Sequence, residues 1–143
     1  MLKNIPSILT PELLKILMEM GHGDEIVIAD GNFPAVTCGQ RVIRADGHGV
    51  PELLDSILMF LPLDHYVKSP VILMEVVKGD KVKTPIWNEF KDIVSKYDNS
   101  ITSFEYIDRY NFYERAKKAF AVIATGESAL YANIILKKGV IVE

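Results

Sequence analysis

Three short runs of mostly apolar and largely β-branched residues, at 26–29, 71–77 (broken only by Glu75) and 120–125, limit most strongly what this chain can fold into. The runs at 26–29 and 120–125 carry no alternation of apolar and polar residues, so they read as strands buried on both faces; 71–77 is the clearest strand of the chain. A sheet without a wet face needs helices to cover it. The sequence supplies those helices between the runs. Thr10-Pro11-Glu12 offers a capping hydroxyl, a proline for the first turn and an acid near the positive end of the helix dipole. Leu13, Leu14, Leu17 and Met18 follow at helical spacing, and Gly21 is expected to end the helix in a left-handed conformation. Val50-Pro51-Glu52 starts a second helix, with Leu53, Leu54, Ile57, Leu58 and Leu61 on one side and Pro62 as its stop. Thr84-Pro85 starts a third, with Ile86, Phe90, Ile93, Val94 and Tyr97 on its apolar side, and residues 108–118 read as a charged helix or turn-helix. Shorter strands are expected at 41–43, 103–107, 131–136 and 140–142, and a loop at 33–39. Met18, Met20, Met59 and Met74 fall within apolar segments and read as core. Strand and helix alternate throughout, which makes residues 1–143 a single α/β domain with helices over a largely parallel or mixed sheet.

Composition narrows the function classes. A net charge of −3 with no basic block argues against nucleic acid as partner. No apolar run approaches the ~18 residues that span a bilayer, and no signal pattern opens the chain. The lone Cys38 can form no internal disulfide and has no neighbour with which to hold a metal, which fits the cytoplasm. Yet 49% of the residues are hydrophobic, a high share for a chain of 143 residues with so much surface per volume. Part of that surplus is expected between subunits, so the chain reads as a homo-oligomer.

Nucleotide-binding patterns are missing: neither GxGxxG nor GxxxxGK[ST] occurs, nor does a GxSxG elbow or a zinc-spaced histidine pair. What remains is a set of polar residues at strand ends: His22, Asp30, Arg44, Asp46, Arg109, Tyr131 and Asn133. Such side chains donate and accept several hydrogen bonds each, as a polyhydroxylated ligand requires. His22 lies between Gly21 and Gly23, where a tight turn can present an imidazole that changes charge near neutral pH. Each residue also has a plainer reading. His22 can cap a helix, Arg44 and Asp46 can pair with each other, Arg109 can be a solvated helix charge, and Tyr131 and Asn133 can form a turn. His48 and His65 read as surface residues.

Taken together, Gly21-His22-Gly23-Asp24-Glu25-Ile26, Ala29-Asp30, Thr125-Gly126-Glu127 and Tyr131-Ala132-Asn133-Ile134 resemble the ribose pyranase/fucose mutarotase family over essentially the whole chain. Phe33-Pro34-Ala35, Val42-Ile43-Arg44-Ala45-Asp46-Gly47 and Phe112-Tyr113-Glu114-Arg115-Ala116 resemble its fucose branch, with a departure at Gly31-Asn32. The resemblance implies a three-layer α/β/α fold and a cofactor-free, metal-free isomerase that opens and recloses a sugar hemiacetal. It implies His22 as the catalytic acid and Asp30, Arg109, Tyr131, Ala132 and Asn133 as sugar-binding positions. It further implies L-fucose or a related monosaccharide as partner, and closed oligomers, commonly decamers of two stacked pentamers with the pocket at or near subunit contacts. Alternatives are D-ribose pyranase activity and a sugar-binding module without turnover.

Overall fold

The three runs become strands of one sheet. The computed structural model describes residues 1–143 and contains one six-stranded sheet: β1 (Glu25–Ala29), β2 (Val42–Ala45), β3 (Val71–Met74), β4 (Glu105–Ile107), β5 (Ala121–Thr125) and β6 (Ile134–Lys137), ordered β2-β5-β1-β6-β3-β4. β1 runs parallel to β5, β5 to β2, and β3 to β4, while β6 lies antiparallel between β1 and β3. The sheet is therefore mixed. Its one reversed strand sits at the centre, so the start of β6 lies beside the ends of β1 and β3.

Side chains alternate between the two faces with the strand period of two. Ile26, Ile28, Ile123, Ile134, Leu136 and Leu73 point into a cluster of 25 buried residues under α1 (Pro11–Glu19), α3 (Val50–Leu58) and α4 (Ile86–Tyr97). Val27, Ala29, Val122, Ala124, Ile135 and Ile72 point into a smaller cluster of 12, under α2 (Ala35–Cys38) and α5 (Arg109–Lys118), where Phe112 and Ala116 seal the face. The second face carries only these two covering helices, one of them a single turn. That leaves an opening beyond the strand ends.

Local sequence explains the helix starts. The Thr10 hydroxyl accepts from Leu13 N–H at 3.2 Å, and the Asp108 carboxylate accepts from Asn111 N–H at 2.9 Å. Gly49 N–H donates to Glu52 at the head of α3, at 3.0 Å. Other expectations need correction. Met20, in extended conformation, closes α1 through its N–H to Ile16, and the left-handed residue is Gly23 (φ 86°), not Gly21. The 33–39 segment winds one helical turn, α2. β3 stops at Met74 because β4, its edge partner, offers only three residues, and β6 begins at Ile134 after a turn. Residues 140–142 form no strand: they have no ladder partner and their side chains are exposed. Met20 and Met74 are core, but Met18 and Met59 are 85% and 47% exposed. Helical spacing alone does not say which side of the stripe faces the sheet. No helix is long and apolar enough to cross a membrane.

Candidate functional site

Because β6 is reversed, four separate segments converge at one end of the sheet: the residue after β1 (Asp30), the end of β3 (Met74), the residue before β6 (Asn133) and the first residue of α5 (Arg109). They line a cavity of about 270 Å³ that Asn32, Phe33, Val77, Asp80, Tyr113, Leu130 and Tyr131 complete. Ligand pockets commonly span ~300–1,000 Å³, so this one suits a single small ring.

Asp30 and Asn133 form its floor, both buried. Asp30 N–H donates to Asn133 Oδ1 at 2.8 Å, and Asn133 Nδ2 donates to Asp30 Oδ2 at 3.0 Å. Asn32 N–H donates to Asp30 Oδ1 at 3.0 Å. Burial pushes the Asp30 carboxyl up from the ordinary carboxylate value; N–H groups of Asn32, Ala132 and Phe33 and the Asn133 amide offset part of this rise. A side-chain amide has two N–H donors, so Asn133 retains one. Ala132 contributes only its main chain here, since its methyl is fully buried in the larger core.

Arg109 is the one basic side chain on the lining, and its charge sits at a helix N-terminus, where the dipole does not favour a cation. Tyr113, one turn further along α5, packs edge-on against Phe33 (ring centroids 5.4 Å apart), which also meets Phe112. The cavity thus has an aromatic wall facing a polar floor. Tyr131 holds a left-handed conformation, φ 58°, which is uncommon and costly for a side chain of this size.

His22 is elsewhere. It lies before β1, in a turn clamped to the end of β6 by Gly23 N–H to the Lys138 carbonyl and Lys138 N–H to the Asp24 carbonyl, each 2.8 Å. Asp30 follows the other end of β1, beyond four residue steps of strand, roughly 13 Å. His22 Nε2 is 3.1 Å from Asp64 Oδ1, and the ring leans on Tyr66 with centroids 5.4 Å apart. The Asp64 side chain is 3% exposed, that of His22 45%. Burial pushes the Asp64 carboxyl up, but the Tyr66 N–H, the His22 imidazole and the Lys137 charge outweigh it and hold Asp64 below the ordinary value. With Nε2 turned to a buried carboxylate, Nδ1 is the nitrogen free to exchange a proton with a partner.

Asp64 and Asp80 stand outside every motif of the sequence. The only advance signal for Asp64 was an acid directly after the apolar Leu61-Pro62-Leu63. Arg44 and Asp46 pair with each other through Nε–Oδ2 (3.1 Å) and Nη2–Oδ1, outside this cavity. His48 and His65 lie at the surface, the first partly buried, and meet Glu52 and Asp98. No cluster of three or more His, Cys, Asp or Glu side chains comes together in a metal-binding arrangement.

The pattern of the RbsD/FucU transport protein family matches residues 3–141. The fucose mutarotase of Homo sapiens is 54% identical over 146 residues, covering 98% of this chain and 94% of that protein. The fucose mutarotase of Streptococcus pneumoniae, solved in complex with L-fucose, superposes with a TM-score of 0.94 at 53% identity, over 99% of this chain and 100% of the other. RbsD of Bacillus subtilis, solved with D-ribose, superposes at 0.72 with 27% identity, over 99% and 100%.

Proposed function

The chain belongs to the RbsD/FucU family, and from that premise we propose that it is an L-fucose mutarotase, interconverting the α and β anomers of L-fucose through the open-chain aldehyde without a cofactor. The observation that carries this reading is the full-length match to a fucose mutarotase solved with L-fucose, 53% identical, against 27% for the D-ribose-bound relative.

Opening the hemiacetal takes a proton from the anomeric hydroxyl and gives one to the ring oxygen; closing on the other face reverses both. Positioned acid/base groups accelerate such transfers, typically ~10²–10⁴-fold. His22 Nδ1 delivers the proton to the ring oxygen and recovers it on closure, the proton of the anomeric hydroxyl passes to water and returns from it, and Asp64 keeps Nε2 engaged and stabilises the charged imidazole. Asp30, Arg109, Tyr131 and Asn133 hold the sugar hydroxyls, with the main chain at Ala132 supporting Asp30. The aromatic wall of Phe33 and Tyr113 takes the apolar side of the sugar.

The length of β1 between His22 and the cavity supports a site shared by two copies: one contributes the floor, its neighbour the imidazole. Exposed Met59, Phe60, Val140 and Ile141 border an apolar hollow of about 390 Å³ beside the Asp64 segment, a surface suited to contact between subunits. A closed homo-oligomer, a decamer by resemblance to the family, in the cytoplasm is the assembly this reading entails.

Saturation-transfer NMR on equal amounts of L-fucose and D-ribose tests the assignment. The expected result is faster α/β exchange of L-fucose with protein present, and a smaller acceleration for D-ribose. Unchanged L-fucose exchange despite binding would make this a sugar-binding module, and the reverse order would make it a ribose pyranase.

A further inference from the structure

Tyr131 is fixed by groups other than a sugar. Its hydroxyl donates to Asp80 Oδ2 at 2.7 Å, its phenolic oxygen accepts from Val77 N–H at 3.3 Å, and its main-chain carbonyl accepts from the Trp87 indole at 2.9 Å. Asp80 is itself anchored. Its Oδ1 accepts from Val82 N–H at 3.1 Å, and its own N–H donates to the Val77 carbonyl at 2.9 Å across a turn in which Gly79 takes φ 89°. Val77, Asp80 and Tyr131 thus close a ring of three hydrogen bonds at the cavity mouth, and all three line the cavity.

A phenol has one hydrogen and two lone pairs. Here the hydrogen goes to Asp80 and one lone pair to Val77, which leaves one lone pair for a ligand. We propose that Asp80 is a positioning residue for sugar recognition: by committing the Tyr131 hydrogen, it makes Tyr131 a pure acceptor that takes the hydrogen of one sugar hydroxyl. The inference rests on the reading above that Tyr131 contacts the sugar. A hydrogen bond to a carboxylate is stronger than one between neutral groups and polarises the phenol, so its oxygen accepts better. The same bond, with burial, raises the Tyr131 pKa and keeps the hydroxyl protonated. It also ties the irregular 75–85 segment between β3 and α4 to the sugar.

Asp80→Ala, Asp80→Asn, Tyr131→Phe and the Asp80→Ala/Tyr131→Phe double variant test this in L-fucose exchange. Asp80→Ala is expected to raise KM about 5–10-fold with the maximal rate within about threefold, the size of one lost hydrogen bond made equally in ground and transition states. Asp80→Asn, whose amide oxygen still accepts, restores most of the affinity. Adding Asp80→Ala to Tyr131→Phe has no further effect. The indole N–H signal of Trp87, the only tryptophan, stays at its parental position in Asp80→Ala, because the Tyr131 main chain is held independently. A parental KM in Asp80→Ala, multiplying effects in the double variant, or a displaced Trp87 signal with a lowered Tm each overturns the proposal. Tyr131→Phe with parental kinetics would overturn the sugar contact as well, whereas an impaired Tyr131→Phe beside a parental Asp80→Ala would sink the proposal alone.

Discussion

His22→Ala lowers the maximal rate of L-fucose anomer exchange by about 100-fold or more and leaves sugar affinity within several-fold. In the proposed mechanism the imidazole moves a proton and the groups that hold the sugar lie at the other end of β1, so its removal leaves them in place. Asp64→Asn is the companion variant. Its amide still meets Nε2 but no longer stabilises the charged ring, and a loss of about 10-fold or more in rate at unchanged affinity is expected. Both proteins are expected to fold, because His22 is half exposed in a turn that main-chain bonds to Lys138 secure, and because an amide oxygen in place of Asp64 Oδ1 still accepts from Tyr66 N–H. Exchange spectroscopy over a range of sugar concentrations separates rate from affinity. A folded, sugar-binding His22→Ala protein at the parental rate would remove His22 from the chemistry and pass the role to Tyr131 or Asp30.

Asn133→Ala acts on different quantities. It strips the buried Asp30 of both its main-chain and its carboxylate partner, at 2.8 and 3.0 Å. Removing the amide from one oxygen of a buried carboxylate and from a buried N–H costs about 2–3 kcal/mol of stability, and losing the free amide hydrogen raises KM about 10-fold or more. Urea unfolding at a fixed protein concentration measures the first effect, and exchange kinetics the second. The rate at saturation is expected to fall less than in His22→Ala, since the proposed role of Asn133 is to hold ground and transition states alike. A variant with parental stability would mean that Asp30 does not depend on the pair.

Much of this was legible in the sequence, for physical reasons that also mark where reading stops. The buried runs announced β1, β3 and β5, because a strand covered on both faces must be apolar throughout. The Thr10-Pro11, Val50-Pro51 and Thr84-Pro85 starts announced three helices, because capping and proline geometry are local. What escaped depends on tertiary pairing. The 140–142 run resembles β5 in composition, but no neighbour offers it a ladder. Helix α2 is a single turn without a side-chain cap, so nothing local distinguishes it from a loop. Met18 lies on the helix that buries Leu17, one residue from the sheet side and yet in solvent.

The site divides in the same way. His22, Asp30, Arg109, Tyr131, Ala132 and Asn133 were legible as residue types and through resemblance. Their grouping was not. Eight positions separate His22 from Asp30, which suggests neighbours, but the intervening residues are extended strand and hold the two apart. Asp64, 42 positions from His22, proves to be its partner, and Asp80, 51 positions from Tyr131, holds that hydroxyl. Contacts across such distances come from the sheet order, which no local pattern encodes.

The claim that ties the site together is that one copy's imidazole serves another copy's cavity. Subunits carrying His22→Ala and subunits carrying Arg109→Ala, each damaged on one side of the proposed site, can be co-expressed with different tags and the mixed oligomers isolated. L-fucose exchange by the mixture is then compared with that of each parent variant at equal protein. Shared sites predict recovery well above the sum of the two parents, because some cavities pair an intact floor with an intact His22; exchange no higher than that sum would contradict the account.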